Sequence, residues 1–221
     1  MDKCQLQTDH AYKANAMGTQ NVALACQEFD VPMVYISTAG VFNGLKKEPY
    51  TEYDEPDPGN VYGATKLAGE RSVQQMLKKY FIIRAGWMMG GGIKTDKKFV
   101  GKILRLIAEG KKEIPVVNDK IGSPTFAKDF AAAIPKIAAT KAYGLYHRTN
   151  LGVASRYDIA LEIVRLVKAS TKILPISSDQ FPLPAPRVPS EAMRNFKLDL
   201  MGLNDARPWQ DALREYIRDW K

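Results

Sequence analysis

Cysteine and histidine are scarce, with two of each in 221 residues. Cys4 and Cys26 are too few and too dispersed for a disulfide framework, so reduced thiols are expected. His10 and His147 stand far apart, which argues against a zinc cluster or a histidine-based triad, and no metal site is expected. No stretch approaches the roughly 20 apolar residues that span a bilayer, and no signal-peptide pattern opens the chain. A cytoplasmic protein without a membrane partner is the expectation. Internal repeats, low-complexity tracts and arginine-rich or aromatic-basic runs are also missing. The net charge of +8 is scattered in pairs: Lys46-Lys47, Lys78-Lys79, Lys97-Lys98 and Lys111-Lys112. That pattern argues against nucleic acid as a partner. It suits either the attraction of a small anion or plain solubility.

Glycine is missing where one common chemistry would need it. A Rossmann-type site holds a pyrophosphate on a glycine-rich turn after its first strand, where backbone N–H groups and a helix N-terminus meet. No such turn is found. The one dense run, Gly90-Gly91-Gly92, follows a later strand and reads as a loop.

What is present begins with a strand. Val-Pro-Met-Val-Tyr-Ile-Ser-Thr (31–38) is short, apolar and β-branched, and small residues stop it. Pro-Asp-Pro-Gly-Asn (56–60) turns into a helix that carries Tyr62 and Lys66, and Phe-Ile-Ile-Arg-Ala-Gly-Trp (81–87) reads as the next strand. Strand, loop, helix and strand in this order predict a right-handed parallel crossover. Ligands of such sheets bind at the carboxyl ends of strands, where Thr38 and Trp87 are expected. Tyr62 and Lys66 are four residues apart, hence on one helix face. An ammonium beside a phenol lowers its pKa and makes it a proton carrier for carbonyl chemistry. The same spacing also describes an ordinary solvated helix face.

Beyond Trp87 a smaller mixed region is expected. It has a helix around 98–110, a strand at 113–118 and a helix near 127–139. A helix from Tyr157 to Lys168 capped by Ser155, a strand from Thr171 to Ile176, a proline-rich loop at 182–189 and a closing helix from Pro208 follow.

Six segments stand in one order: Tyr-Ile-Ser-Thr-Ala-Gly-Val-Phe-Asn-Gly (35–44), Tyr-Gly-Ala-Thr-Lys-Leu-Ala-Gly-Glu (62–70) and Ile-Ile-Arg-Ala-Gly-Trp (82–87) come first. Asp-Lys-Ile-Gly-Ser-Pro-Thr (119–125), Gly-Leu-Tyr-His (144–147) and Pro-Ala-Pro-Arg (184–187) follow. Together they resemble the extended short-chain dehydrogenase/reductases, within them the dTDP-4-dehydrorhamnose reductase group. The resemblance implies an α/β fold. Residues 1–92 would be the remnant of a Rossmann-like parallel sheet, and 93–221 a smaller mixed α/β substrate-binding domain from which segments return to the sheet. It also implies roles. Tyr62 would protonate the C4 carbonyl oxygen of a nucleotide-sugar while a reduced nicotinamide, NADP or NAD in origin, delivers hydride. Lys66 would hold the nicotinamide ribose and depress the Tyr62 pKa, with Ser37 also on the cofactor side. Thr38 would hydrogen-bond the same carbonyl. Asn15 would steady a water-mediated proton path, or serve only as a helix-packing amide. Trp87 would lie near the sugar, or be a core aromatic. Arg187 would meet a substrate phosphate, or a surface carboxylate. Magnesium stays open as a cofactor, though the sequence does not indicate it.

The resemblance covers the latter two-thirds or so of a family member. Strand 31–38 would then lack its usual neighbour and stand as an open edge. A fragment of a longer product, a short protein completed by a homodimeric or other partner, and a degenerate paralogue all fit, the first being favoured. Little NAD(P)H binding by the chain alone is expected. Departures from the pattern fall around the sugar: Ala39-Gly40 replace an Asp-Tyr pair, Lys120 a glutamine, Arg156 a tryptophan, and Ala85-Gly86-Trp87-Met88-Met89 a more polar sequence. Two functions stay open. One is reduction of a 4-keto nucleotide-sugar. The other is non-catalytic binding or regulation, similar to the reductase-like subunit that accompanies methionine adenosyltransferase.

Overall fold

The computed structural model describes residues 1–220; Lys221, the last residue of the expected second domain, lies outside them. Short helices α1 (Asp2–Leu6) and α2 (Thr8–Tyr12) lead through a π-helical turn, Lys13–Met17, into α3 (Gly18–Glu28). Strand β1 (Met33–Thr38) buries Met33, Tyr35 and Ser37 and exposes the alternate residues, the period-2 signature of a half-covered strand. Asn60 caps helix α4 (Val61–Met76), its side-chain oxygen accepting from the Gly63 N–H at 3.0 Å. Strand β2 (Tyr80–Ala85) then runs parallel to β1, with Tyr35 opposite Ile82 and Ser37 opposite Arg84.

The expected strand 81–87 is in fact two. Gly86 ends β2, and Trp87 opens β3 (Trp87–Met89), donating its backbone N–H to the Ser123 carbonyl at 2.9 Å. Trp87 thereby leaves the main sheet. Helices α5 (Gly92–Thr95) and α6 (Phe99–Ala108) come next, followed by strands β4 (Glu113–Val117), β5 (Ile121–Gly122) and β6 (Pro124–Phe126) and helix α7 (Ala127–Ala139). Strand β7 (Gly144–His147) returns to the first sheet, parallel to β2, with His147 opposite Arg84. The rest comprises β8 (Ala154–Ser155), α8 (Arg156–Val167), β9 (Lys172–Ile176), β10 (Ser190–Glu191), α9 (Phe196–Leu200) and α10 (Trp209–Arg218). Ser155 and Asp158 form a capping box at the start of α8, and Pro208 is the N-cap of α10.

Four small sheets result: β1–β2–β7, β10–β5–β8, β3–β6 and β4–β9. The first is parallel, and its central strand β2 is covered on both faces. Ala23 of α3 and Val73 of α4 pack with Tyr35 and Ile82 on one side, while Phe130 of α7 and Leu198 of α9 pack with Phe81 and Tyr146 on the other. Double coverage explains why β2 is apolar almost throughout. A separate core joins Ile103, Ile163 and Leu213 from α6, α8 and α10 to Ile114 and Ile173 of the β4–β9 pair. Burying each such side chain stabilises by about 1.5–3 kcal/mol. In the described sheet β1 is an end strand, and Val34 and Ile36 on its face away from α4 are exposed. Among the described residues no helix is long and apolar enough to cross a membrane.

Candidate active site

The carboxyl end of β1 and the first two turns of α4 meet because of one glycine. A Cβ on Gly63 would sit 1.9 Å from the Gly40 carbonyl oxygen, so only hydrogen fits where α4 crosses the 3-10 turn Ala39–Val41. That contact sets Tyr62 beside Thr38. The Thr38 hydroxyl also accepts from the Gly40 N–H at 3.1 Å, which fixes its rotamer. One turn further along α4, the Lys66 ammonium donates to the Ile36 carbonyl at 2.7 Å and lies 4.1 Å from the Tyr35 ring centroid. Thr38, Tyr62 and Lys66 are thus gathered at one sheet end.

The electrostatics differ from the expectation. Burial pushes the Tyr62 pKa up; the Thr38 hydroxyl opposes the rise, while Glu191 and Cys4 add to it. The Lys66 ammonium, held at Ile36 beside the Tyr35 ring, is not among these causes. Burial instead brings Lys66 itself down to about 8, with Glu70 opposing. Glu70, one turn beyond Lys66, accepts from Arg84 Nε at 2.8 Å and Nη2 at 2.6 Å in an ion pair that is almost wholly buried. This pair ties α4 to β2.

Of the other residues singled out in the sequence, Asn15 lies in the π-helical turn. Its amide donates to Thr65 Oγ1 at 3.0 Å, and that hydroxyl donates to the Tyr62 carbonyl at 2.9 Å, so Asn15 acts as a helix-to-helix tie. Ser37 is buried. Its hydroxyl, Arg84 Nη1 and His147 Nε2 form one row across β1, β2 and β7, and among the described residues all three lack a partner. Trp87 is half-buried, and its indole N–H donates to Glu191 Oε2 at 2.5 Å. The Arg156 guanidinium stacks 3.7 Å from the Trp87 ring centroid. Arg187 is paired with Asp2 at 2.9 Å and donates to the Ala185 carbonyl at 2.6 Å. Two clefts of about 260 and 200 Å³, around Arg148 and Asp205 and around Asn150 and Asn195, do not include the triad.

Sequence reasoning missed Glu191 and Glu70. Glu70 stands four residues after Lys66, a spacing that could have drawn notice. Glu191 closes a proline-rich loop and meets Trp87 from 104 residues away, which leaves no local signal.

A parallel sheet with threonine, tyrosine and lysine gathered at its carboxyl end is the Rossmann-like α/β class of fold, whose ligands bind at that end. Within that class, the chain belongs to the family described as RmlD substrate binding domain, which matches residues 1–221. It is 36% identical over 219 residues to the spore coat polysaccharide biosynthesis protein SpsK of Bacillus subtilis, covering 99% of this chain and 75% of that protein. To the dTDP-4-dehydrorhamnose reductase of Mycolicibacterium smegmatis it is 36% identical over 220 residues, 98% of this chain and 66% of the relative. Among solved structures, a dTDP-4-dehydrorhamnose reductase from Clostridium acetobutylicum superposes with a TM-score of 0.94 at 40% identity, covering 98% of this chain and 76% of that one. The enzyme of the same name from Bacillus anthracis, solved in complex with NADP, gives 0.93 at 37% identity, covering 99% and 76%.

Proposed function

We propose that this chain carries the proton-delivering and sugar-binding part of the NAD(P)H-dependent reduction of a 4-keto nucleotide-sugar, in the cytoplasm. One observation carries the reading: Thr38, Tyr62 and Lys66 converge at the carboxyl end of β1 in a member of this family. The names of the relatives support the substrate class. When bound, a reduced nicotinamide supplies hydride to the carbonyl carbon. Negative charge then grows on the carbonyl oxygen, where Tyr62 donates its proton and Thr38 a hydrogen bond. The raised Tyr62 pKa suits this direction, because it keeps the phenol protonated until the oxygen calls for the proton. Lys66 spends one of its three N–H donors on Ile36, and the remaining two fit the hydroxyls of a nicotinamide ribose. Trp87 lines the sugar side, and Arg187 exchanges Asp2 for the substrate pyrophosphate.

Tyr62→Phe removes the proton and little else. Assayed together with a complete nicotinamide-binding half, turnover of a dTDP-4-keto-6-deoxy sugar, followed by loss of NADPH absorbance, is expected to drop about 10²–10⁴-fold. Binding of the nucleotide-sugar should change little. Near-normal turnover by the variant would overturn the assignment. If wild type, completed in the same way, binds the nucleotide-sugar yet oxidises no NADPH, the binding-protein reading takes its place.

A further inference from the structure

The small sheet β10–β5–β8 places two opposite charges on either side of one glycine. Glu191 is opposite Gly122, Gly122 is opposite Ala154, and Arg156 follows directly after β8. The Trp87 indole lies against that glycine, where a Cβ would stand 2.3 Å from the ring. Trp87 then binds both charges, Glu191 Oε2 through its N–H and the Arg156 guanidinium through its ring, with Phe99 5.0 Å from the same guanidinium. Arg156 thereby stands as a cation within reach of the Glu191 carboxylate through space.

The indole occupies Oε2, and no hydrogen bond among the described residues reaches Oε1. That oxygen is 3.5 Å from the point where Gly40 would carry a Cβ. The same point is 3.4 Å from Thr38 Oγ1 and 3.6 Å from Tyr62 Cδ1. A carboxylate oxygen without a hydrogen-bond partner thus lies beside Gly40 together with Thr38 and Tyr62.

We propose that Glu191 is a specificity-determining residue, whose Oε1 accepts a hydrogen bond from a substrate hydroxyl on the carbon next to the reducible carbonyl. The inference rests on the reductase reading and narrows its substrate class to keto-sugars with a free vicinal hydroxyl. A charge-assisted hydrogen bond of this kind is strong. A sugar lacking the hydroxyl would leave the carboxylate desolvated and unpaired, which a site built on hydrogen bonding rejects. An acidic group at that carbon would face a like charge. Trp87 and Arg156 act here as positioning residues, the first orienting Glu191 through its N–H and the second stacking on the Trp87 ring.

The test is calorimetric titration of the full chain with dTDP-4-keto-6-deoxyglucose and with its analogue deoxygenated next to the keto group. Wild type should bind the hydroxylated sugar about 10–100-fold more tightly. Glu191→Ala should bring the two affinities together, and the isosteric Glu191→Gln, which keeps a neutral acceptor, should retain part of the preference. Thermal melts of both variants confirm that they fold. Equal affinities in wild type, or an unchanged ratio in Glu191→Ala, overturn the inference while leaving the reductase reading standing. If wild type binds neither sugar, the substrate class itself falls, and the inference with it.

Discussion

His147 is wholly buried, with Nδ1 3.2 Å from the Arg194 carbonyl oxygen. A carbonyl only accepts, so Nδ1 carries the proton and Nε2 a bare lone pair. Burial, reinforced by the nearby Arg84 charge, pulls the imidazole pKa down to about 3 from an ordinary 6.5. Between those two values the unfolded chain binds a proton that the folded chain refuses. Stability therefore falls as pH drops through this window, by up to about 1.4 kcal/mol per pH unit from this one group. His147→Gln removes the titration. Chemical denaturation at neutral pH and at about pH 5 should show wild type losing more stability than the variant. Equal losses would mean that the folded protein protonates His147 as readily as the unfolded chain. The same row explains Ser37. Its side chain faces α4 together with Arg84 and His147, so the strand's alternation, and not the chemistry of a hydroxyl, decides where it goes.

Helix α4 carries Tyr62 and Lys66, and its hold on the sheet depends on Glu70 and Arg84. Their bidentate contact is dry, the side chains being 1% and 2% exposed. Glu70→Ala would strand a guanidinium in the core, which typically costs about 3–5 kcal/mol. Urea denaturation should register that loss, and nucleotide-sugar affinity should fall with it, since the site rides on the same helix. A change well under about 1 kcal/mol would show that Arg84 finds other partners. Much of the element pattern was legible because it is local. The apolar run of β1, the Asn60 turn before α4, the amphipathic period of α6 and α7 and the Ser155 cap of α8 are each written within a dozen residues. The triad's placement followed from that pattern, since the end of a strand and the start of the next helix must adjoin in a parallel crossover. What escaped is non-local. The division of 81–87 into β2 and β3 depends on the carbonyl of Ser123 far along the chain. The Glu191–Trp87 contact needs two-residue strands with no periodicity to read. The direction of the Tyr62 pKa is set first by burial, which helical spacing alone does not supply.

The molecule as a whole carries +8, and the substrate class proposed for it is anionic. Some of that charge is locally matched: Lys46 pairs with Asp54, Lys79 with Asp30, and Arg207 with both Asp129 and Glu215. Such pairs shape the surface without changing the net field, which still draws an anion towards the molecule. If this field steers the nucleotide-sugar, its association rate must depend on salt, because the screening length shrinks from about 30 Å at 0.01 M to about 8 Å at 0.15 M ionic strength. Stopped-flow binding across that range should show the association rate falling several-fold while the dissociation rate changes less, since a rim field acts on encounter more than on the docked complex. Direct phosphate contacts behave differently. Arg187→Gln should mainly raise the dissociation rate and leave the salt slope of association nearly intact. An association rate indifferent to salt would assign the excess charge to solubility alone, and the pyrophosphate would then be held only by the groups that touch it.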